Sequence, residues 1–412
     1  MIGKWVWLLR GALRKLWLRV AAFAILAIVA AIAAPLLSPL VPDAWSEALG
    51  GDAVDQVLTI LATSMLAVTT FSLSIAVNAY TAAAQTATPR AVALLQSDKI
   101  TQTTLATFLG AFVYALVAII GINAGYYAEG ERAVLFLSTV MVASFVVLAM
   151  LRWIDYLQDF GRLNNTLDRV EVAARNALLT RLDVPYLGGQ PFNGEVPSGA
   201  WSVRIEATGH IQHIDMQSLQ DWAETNDAQL WLPVLPGDFV HPGSCFAYGI
   251  GAEPDEKGVT ALQNAVTVDR QRSFDQDPRF GMVVLSEIAS RALSPGVNDP
   301  GTAVDVLERQ LAVLSKWHER KTPEIHCDRV RVGSVEPSEM LNLAFRPILR
   351  DGIGQVEVLV RLLDVLAALQ DTSAEVFGEA AQALTKGVED ALAQTDQLDA
   401  WDRQQIETAL RA

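Results

Sequence analysis

The stretch VLTILATSMLAVTTFSLSIAVNAYTAAAQTATPR, Val57 to Arg90, decides the fold. It carries no charged side chain before Arg90, and its run from Val57 to Tyr80 exceeds the roughly 20 residues a helix needs to cross bilayer hydrocarbon. It reads as a transmembrane helix. Continued to Thr88, just before Pro89, that helix would measure roughly 48 Å at 1.5 Å per residue, more than a bilayer core. Its far end is therefore expected to protrude into water.

The same helix is studded with polar groups. Thr63, Thr70, Ser74, Asn78, Thr81 and Gln85 follow one another at helical steps and align on one face. One reading is packing, because hydroxyl and small side chains let membrane helices approach and share hydrogen bonds. The other is a water-filled path, repeated around a symmetric oligomer and lined by this face. Arg90 would then stand at the inner mouth, where a ring of arginines favours anions; as an isolated residue it is an ordinary positive-inside anchor.

Three more runs are long and apolar enough to span a bilayer: Val20 to Val41, Thr104 to Tyr126 and Ala133 to Leu151. The opening MIGKWVWLLRGALRKLWLRV has the basic start of a signal peptide. Its apolar continuation is too long, however, and closes at Pro35, Pro39 and Pro42 without a small-residue cleavage site, so it reads as an uncleaved first helix. Lys4, Arg10, Arg14, Lys15 and Arg19 precede that helix, Arg90 and Lys99 lie between the second and third, and Arg152 and Arg162 follow the fourth. The other side holds Arg132 beside Asp43, Glu47, Asp52, Asp55, Glu129 and Glu131, which places both termini of a multi-pass membrane protein in the cytoplasm. Trp5, Trp7, Trp17 and Trp153 on one edge, and Trp45, Tyr126 and Tyr127 on the other, fit interfacial belts.

The whole chain of 412 residues is 51% hydrophobic and 19% charged, which suits a protein part in the bilayer and part in water. Its net charge of −15 argues against nucleic acid, whose phosphates need a basic face. The basic segment 1–19 is instead suited to anionic lipid. Gly121 and Gly125 in GINAG make a G-x-x-x-G step on the third helix, a weak sign of helix association. Cys245 and Cys327 are expected as free thiols on the cytoplasmic side.

Residues 20–155 thus form a four-helix transmembrane domain. Apolar steps at Leu163, Leu167, Val170 and Ala174 continue as a helical stalk over 156–182, and the Pro- and Gly-rich segment 183–200 reads as a linker. Residues 201–251 read as a small β-rich module. There, G-x-I-x-x-I-D from Gly209 followed by LPGDFVHPGSCF resembles the barrel-like half of biotinyl and lipoyl carrier domains. The segment has no lysine, so the resemblance implies a structural module and no swinging arm. His210 and His213 are a poor metal pair on a strand. Residues 252–412 read as a helical cytoplasmic domain. The fold class is therefore a membrane all-α four-helix domain followed by an α+β region, a small β-barrel-like module plus a helical bundle.

In the helical part, RQRSFDQDPRFGMVVLSEIASRALSPGVNDPGTAVDVLERQLAVLSKW reads as a loop, a helix over about Phe280 to Leu293, a junction and a second helix to about Lys316. Glu287 and Arg291 are spaced as an i,i+4 pair. Pro295 and Gly296 after Ser294 end the first helix, and Asp299 with Pro300 caps the second. Asp275, Asp277, Arg279, Asn298 and Asp299 would converge if the loop packs beside the junction, with Arg270 and Arg272 near enough to contribute. Such a cluster suits an ion or small cytoplasmic ligand; the alternative is an ion-paired structural corner. Further on, Ser338 reads as an N-cap and Pro347 as a kink.

FDQDPRFG followed by RALSPGVNDPGTA is similar to the bacterial membrane-protein family catalogued as domain of unknown function 2254. The likeness extends over nearly the whole chain, including the second helix ending at Thr88-Pro89-Arg90 and the segment LGAFVYALV on the third. It implies architecture and assigns no activity. Members often carry histidines just after the fourth helix where this chain has WIDYLQDF, so no metal or proton role carries over to Asp155. No phosphate-binding loop, G-x-S-x-G or H-E-x-x-H motif occurs, and no cofactor is expected. The expectation is a homo-oligomeric channel with the second helix lining its path; the alternative is a membrane-anchored sensor or scaffold with a site at the SPGVNDP corner.

Overall fold

A computed structural model describes residues 16–33, 53–319 and 322–411. The basic segment before Leu16, and Pro35 to Asp52 with Trp45, lie outside the described residues. The described residues divide into two compact units, one of 16–33, 53–85 and 92–165, the other of 86–91, 166–319 and 322–411.

The first unit contains four helices long and apolar enough to cross a membrane: α1 (Leu16–Ala33), α2 (Ala53–Thr86), α4 (Lys99–Asn123) and α5 (Glu129–Leu157). The short α3 (Pro89–Gln96) follows α2. Phe71, Phe145, Leu148 and Ile154 are more than half exposed, an arrangement that bilayer hydrocarbon stabilises and water does not. Inside, Phe108, Tyr114, Ala115 and Leu135 are fully or almost fully buried, and Tyr114 Oη lies 2.6 Å from Ser138 Oγ and 3.2 Å from Thr139 Oγ1. Gly110 lets α1 and α4 approach closely, since a Cβ there would stand 3.3 Å from Phe23 Cβ.

The G-x-x-x-G step is not continuous on α4. Gly125 lies beyond the end of α4, and a side chain at Gly121 would collide with the Tyr127 ring. Gly121 thus makes room for Tyr127, whose hydroxyl donates to Ala31 O at 2.8 Å.

The second unit begins with α6 (Leu163–Asp183), whose Leu167, Val170 and Ala174 are buried. It is not a free stalk. α9 (Pro278–Ala292) crosses it so closely that a Cβ at Gly281 would overlap Ala174, and Arg309 of α10 (Pro300–Leu314) pairs with Asp168 at 2.6 Å and Glu171 at 2.8 Å.

Among the described residues no closed barrel forms. β1 (Gly189–Pro191), β2 (Trp201–Arg204), β4 (Gln229–Leu232), β6 (Cys245–Ile250) and β8 (Cys327–Val332) make one sheet in the order β1-β8-β4-β6-β2. β3 (Gly209–Ile214) pairs with β5 (Phe239–Val240) and β7 (Val266–Asp269) in a second sheet. The strand between β4 and β1 arrives from almost a hundred residues downstream, parallel to both. Long-range pairing of this kind leaves no local pattern beyond the strand itself. Ile211, Leu219, Phe246, Leu262 and Val330 fill the core, against which α7 (Met216–Thr225) and α8 (Glu256–Asn264) pack.

The rest of the unit is helical: α11 (Pro337–Asp351), α12 (Val356–Thr372), α13 (Ala374–Gln394) and α14 (Ala400–Arg411). Glu336, not Ser338, is the N-cap of α11, because Pro337 supplies the preset first helical residue; Pro347 lies inside the helix without ending it.

Candidate functional site

The buried face of α2 is set by Leu58, Ala62, Met65, Ser72, Ala76 and Ala83. At roughly 100° per residue, Thr63, Thr70, Ser74, Asn78, Thr81 and Gln85 centre on the opposite side of the helix. All six are exposed, as is Gln56, which extends the stripe toward the start of the helix. Four hydroxyls donate back to carbonyls one turn earlier: Thr63 to Thr59 at 2.9 Å, Thr70 to Leu66 at 2.9 Å, Ser74 to Thr70 at 3.0 Å and Thr81 to Val77 at 3.0 Å. The Asn78 and Gln85 amides make no such bond, and no hydrogen bond of theirs occurs among the described residues.

Arg90 does not stand as a free cation. α2 ends at Thr86, and the Thr88-Pro89-Arg90 turn that follows belongs to the second unit. Buried Thr88 donates from Oγ1 to Glu287 Oε2 at 3.1 Å, and Arg90 Nη1 lies 2.5 Å from Glu287 Oε1. Glu287 sits at the middle of α9 and is not paired with Arg291, because its two carboxylate oxygens are taken by this turn.

At the start of α9, Asp277 caps the helix by accepting from Arg279 N at 3.2 Å, with Pro278 at the first position. Its Oδ2 also accepts from Arg272 at 2.8 Å and 2.5 Å. Arg279 is buried and reaches Asp238 at 2.7 Å, Glu339 at 2.9 Å and Pro236 O at 3.0 Å. Burial alone would lower the Arg279 pKa, but Asp277, Asp238 and Glu339 together raise it. Arg181, more deeply enclosed, donates to Gln276 O at 2.8 Å, and its desolvation brings it down to about 10. Gly237 (φ +98°) presses against the Asp277 carboxylate where any side chain would collide. Asp275 lies in the same loop, half-buried, its backbone N–H donating to Ser273 Oγ at 3.1 Å.

The SPGVNDP corner is at the other end of α9. That helix has 15 residues, roughly 22 Å at 1.5 Å per residue, so Asp275, Asp277 and Arg279 do not converge with Ser294, Asn298 and Asp299. Ser294 Oγ donates to Arg291 O at 2.6 Å, and the amide nitrogens of Val297 and Asn298 donate to Ser294 O. Asn298 adopts φ +50°, a conformation Asn tolerates, and accepts from Gln355 at 3.1 Å. Asp299 caps α10 by accepting from Thr302 N at 3.1 Å and Thr302 Oγ1 at 2.6 Å. The corner is exposed from Pro295 to Asp299, including Val297.

The pairing of Glu287 with Thr88 and Arg90, and the parts played by Arg181, Asp238 and Glu339, were not apparent from sequence. The one local signal was the repeated Asp-Pro at 277–278 and 299–300, which marks two helix starts and therefore two separate sites. Both thiols are free; Cys327 is fully buried and Cys245 partly so. Among the described residues no His, Cys, Asp and Glu group is arranged to hold a metal ion.

Four membrane-length apolar helices joined to a large α+β unit define a multi-pass membrane protein. Residues 14–368 match the family described as "Predicted membrane protein (DUF2254)", and the chain belongs to that family. It is 25% identical over 294 residues to proteins named as uncharacterized from Mycobacterium tuberculosis and Mycobacterium bovis, a match covering 65% of this chain and 54% of each relative. The chain thus spans about half the length of the curated relatives it matches. No solved structure matches.

Proposed function

We propose that this protein is a homo-oligomeric channel or pore-type protein of the bacterial inner membrane, with its second unit and both termini in the cytoplasm. The observation that supports this reading is the polar stripe of α2 facing away from the helix's own packing surface. Lipid tails offer no hydrogen bonds, so Asn78 and the hydroxyl oxygens are costly there. Further copies of this chain, arranged with α2 toward a shared axis, place those groups against one another and against water. The lysines and arginines flanking the four spans orient the assembly.

The test uses full-length chain in which Cys245 and Cys327 are replaced by Ala and a single Cys is introduced by Thr70→Cys or Ser74→Cys. Disulfide cross-linking between copies, together with labelling by a small water-soluble thiol reagent, is the expected result. An uncross-linked chain whose introduced thiols are shielded by lipid rules the assembly out. In liposomes, Asn78→Leu should abolish ion flux while leaving the oligomer intact.

A second reading, a sensor or scaffold anchored by its membrane helices, draws on the turn after α2. Thr88 and Arg90 hold the helix carrying the exposed SPGVNDP corner, where an ion, a small ligand or a partner would act. Normal assembly without flux would favour it.

A further inference from the structure

We infer that the path lined by α2 passes small cations and turns back anions; this rests on the pore reading above. Between Ala53 and Thr86 the only charged residue is Asp55, which lies exposed in the first turn. The hydroxyl protons of Thr63, Thr70, Ser74 and Thr81 are committed to carbonyls of their own helix, so what these side chains turn outward is oxygen lone pairs. Such a surface replaces the water oxygens around a cation and gives an anion almost nothing to bind. The amides of Asn78, Gln85 and Gln56 offer both donor and acceptor and do not shift that balance. At the other end, the positive charge expected of Arg90 is offset by Glu287. An anion would therefore meet no uncompensated cation on the described length of this helix, whereas a cation meets a ladder of acceptors and one carboxylate.

The experiment reconstitutes the full-length protein in liposomes with a potential-sensitive dye. One gradient is potassium with an impermeant organic anion, the other chloride with an impermeant organic cation. A potential set by potassium is expected, with little from chloride. Thr70→Val, which keeps the shape and removes the oxygen, should slow potassium several-fold, and Asp55→Asn should weaken the preference for cations. Size-exclusion profiles verify that both variants assemble. A chloride-selective flux that Asn78→Leu abolishes overturns the cation inference and leaves the pore reading standing. Flux absent from the assembled wild type, or indifferent to both Asn78→Leu and Thr70→Val, overturns the pore reading and this inference with it.

Discussion

Arg90 Nη1 lies 2.5 Å from Glu287 Oε1, although 197 residues separate the two in the chain. The same carboxylate takes the Thr88 hydroxyl on its other oxygen, so it grips both sides of Pro89. The turn that follows the longest membrane helix is thereby fixed to the middle of α9, within one compact unit.

The two halves of this grip should differ in strength. Arg90 is more than half exposed, and an ion pair of that kind contributes about 0–1 kcal/mol. Thr88 is buried, and leaving its hydroxyl without a partner costs about 1–3 kcal/mol. Glu287→Gln, which can still accept from Thr88, should therefore lower the melting temperature less than Glu287→Ala. Equal losses in detergent-solubilised protein would mean that the charge, not the buried hydroxyl, carries the contact.

The network at the start of α9 should be far less tolerant. Arg279 joins three carboxylates and a carbonyl in a buried setting, and removing one partner of a buried ion pair costs about 3–5 kcal/mol. Arg279→Met should destabilise the second unit strongly, and Gly237→Ala should do so as well, since it combines φ +98° with a collision against Asp277. Limited proteolysis and tryptophan fluorescence report the loss. A near-native Gly237→Ala variant would show that the loop can move away from Asp277.

The membrane helices were legible because a bilayer imposes length and apolarity on a contiguous stretch of chain, as in Val57 to Tyr80. The cap at Asp299 was legible for a related reason, being settled within three residues. The barrel expected from Gly209 to Phe246 failed because β8 enters the sheet beside β4 from residue 327, and local alternation does not encode which strands become neighbours. The expected convergence of Asp277 with Asn298 failed because an uninterrupted helix lies between them. Arg90 was read as a membrane-flanking charge, its role in any such pattern, while its partner lay on a distant helix that no spacing rule connects to it.

The two cysteines give a pH-dependent readout of the sheet. Burial pushes the Cys327 thiol from 9.0 up to about 11. Its folded value is raised, so its contribution to stability is complete below pH 9.0 and is lost as pH rises through about 11. Burial raises the Cys245 thiol as well, so partly exposed Cys245 should be alkylated in the native protein increasingly fast as pH rises, with Cys327 protected until the second unit unfolds. Denaturation midpoints that fall across that alkaline window in the wild type, and less so in Cys327→Ala, support the assignment. Rapid native labelling of Cys327 would contradict its burial.

The SPGVNDP corner can be divided into backbone geometry and possible ligand chemistry by two substitutions. Asn298 holds φ +50°, which glycine adopts more readily, so Asn298→Gly should change stability little even though it removes the Gln355 hydrogen bond; Asn298→Val should cost about 1–2 kcal/mol in that conformation. Asp299→Ala removes the cap to Thr302 and should cost about 1 kcal/mol. If the corner is only a turn, Asn298→Gly and Asp299→Ala should affect function only through these stability changes. Were Asn298→Gly to leave the melting temperature intact and abolish flux or a ligand-dependent stabilisation, the carboxamide itself would be shown to act. The exposed surface from Pro295 to Asp299 would then be an interaction site and not merely the junction of two helices.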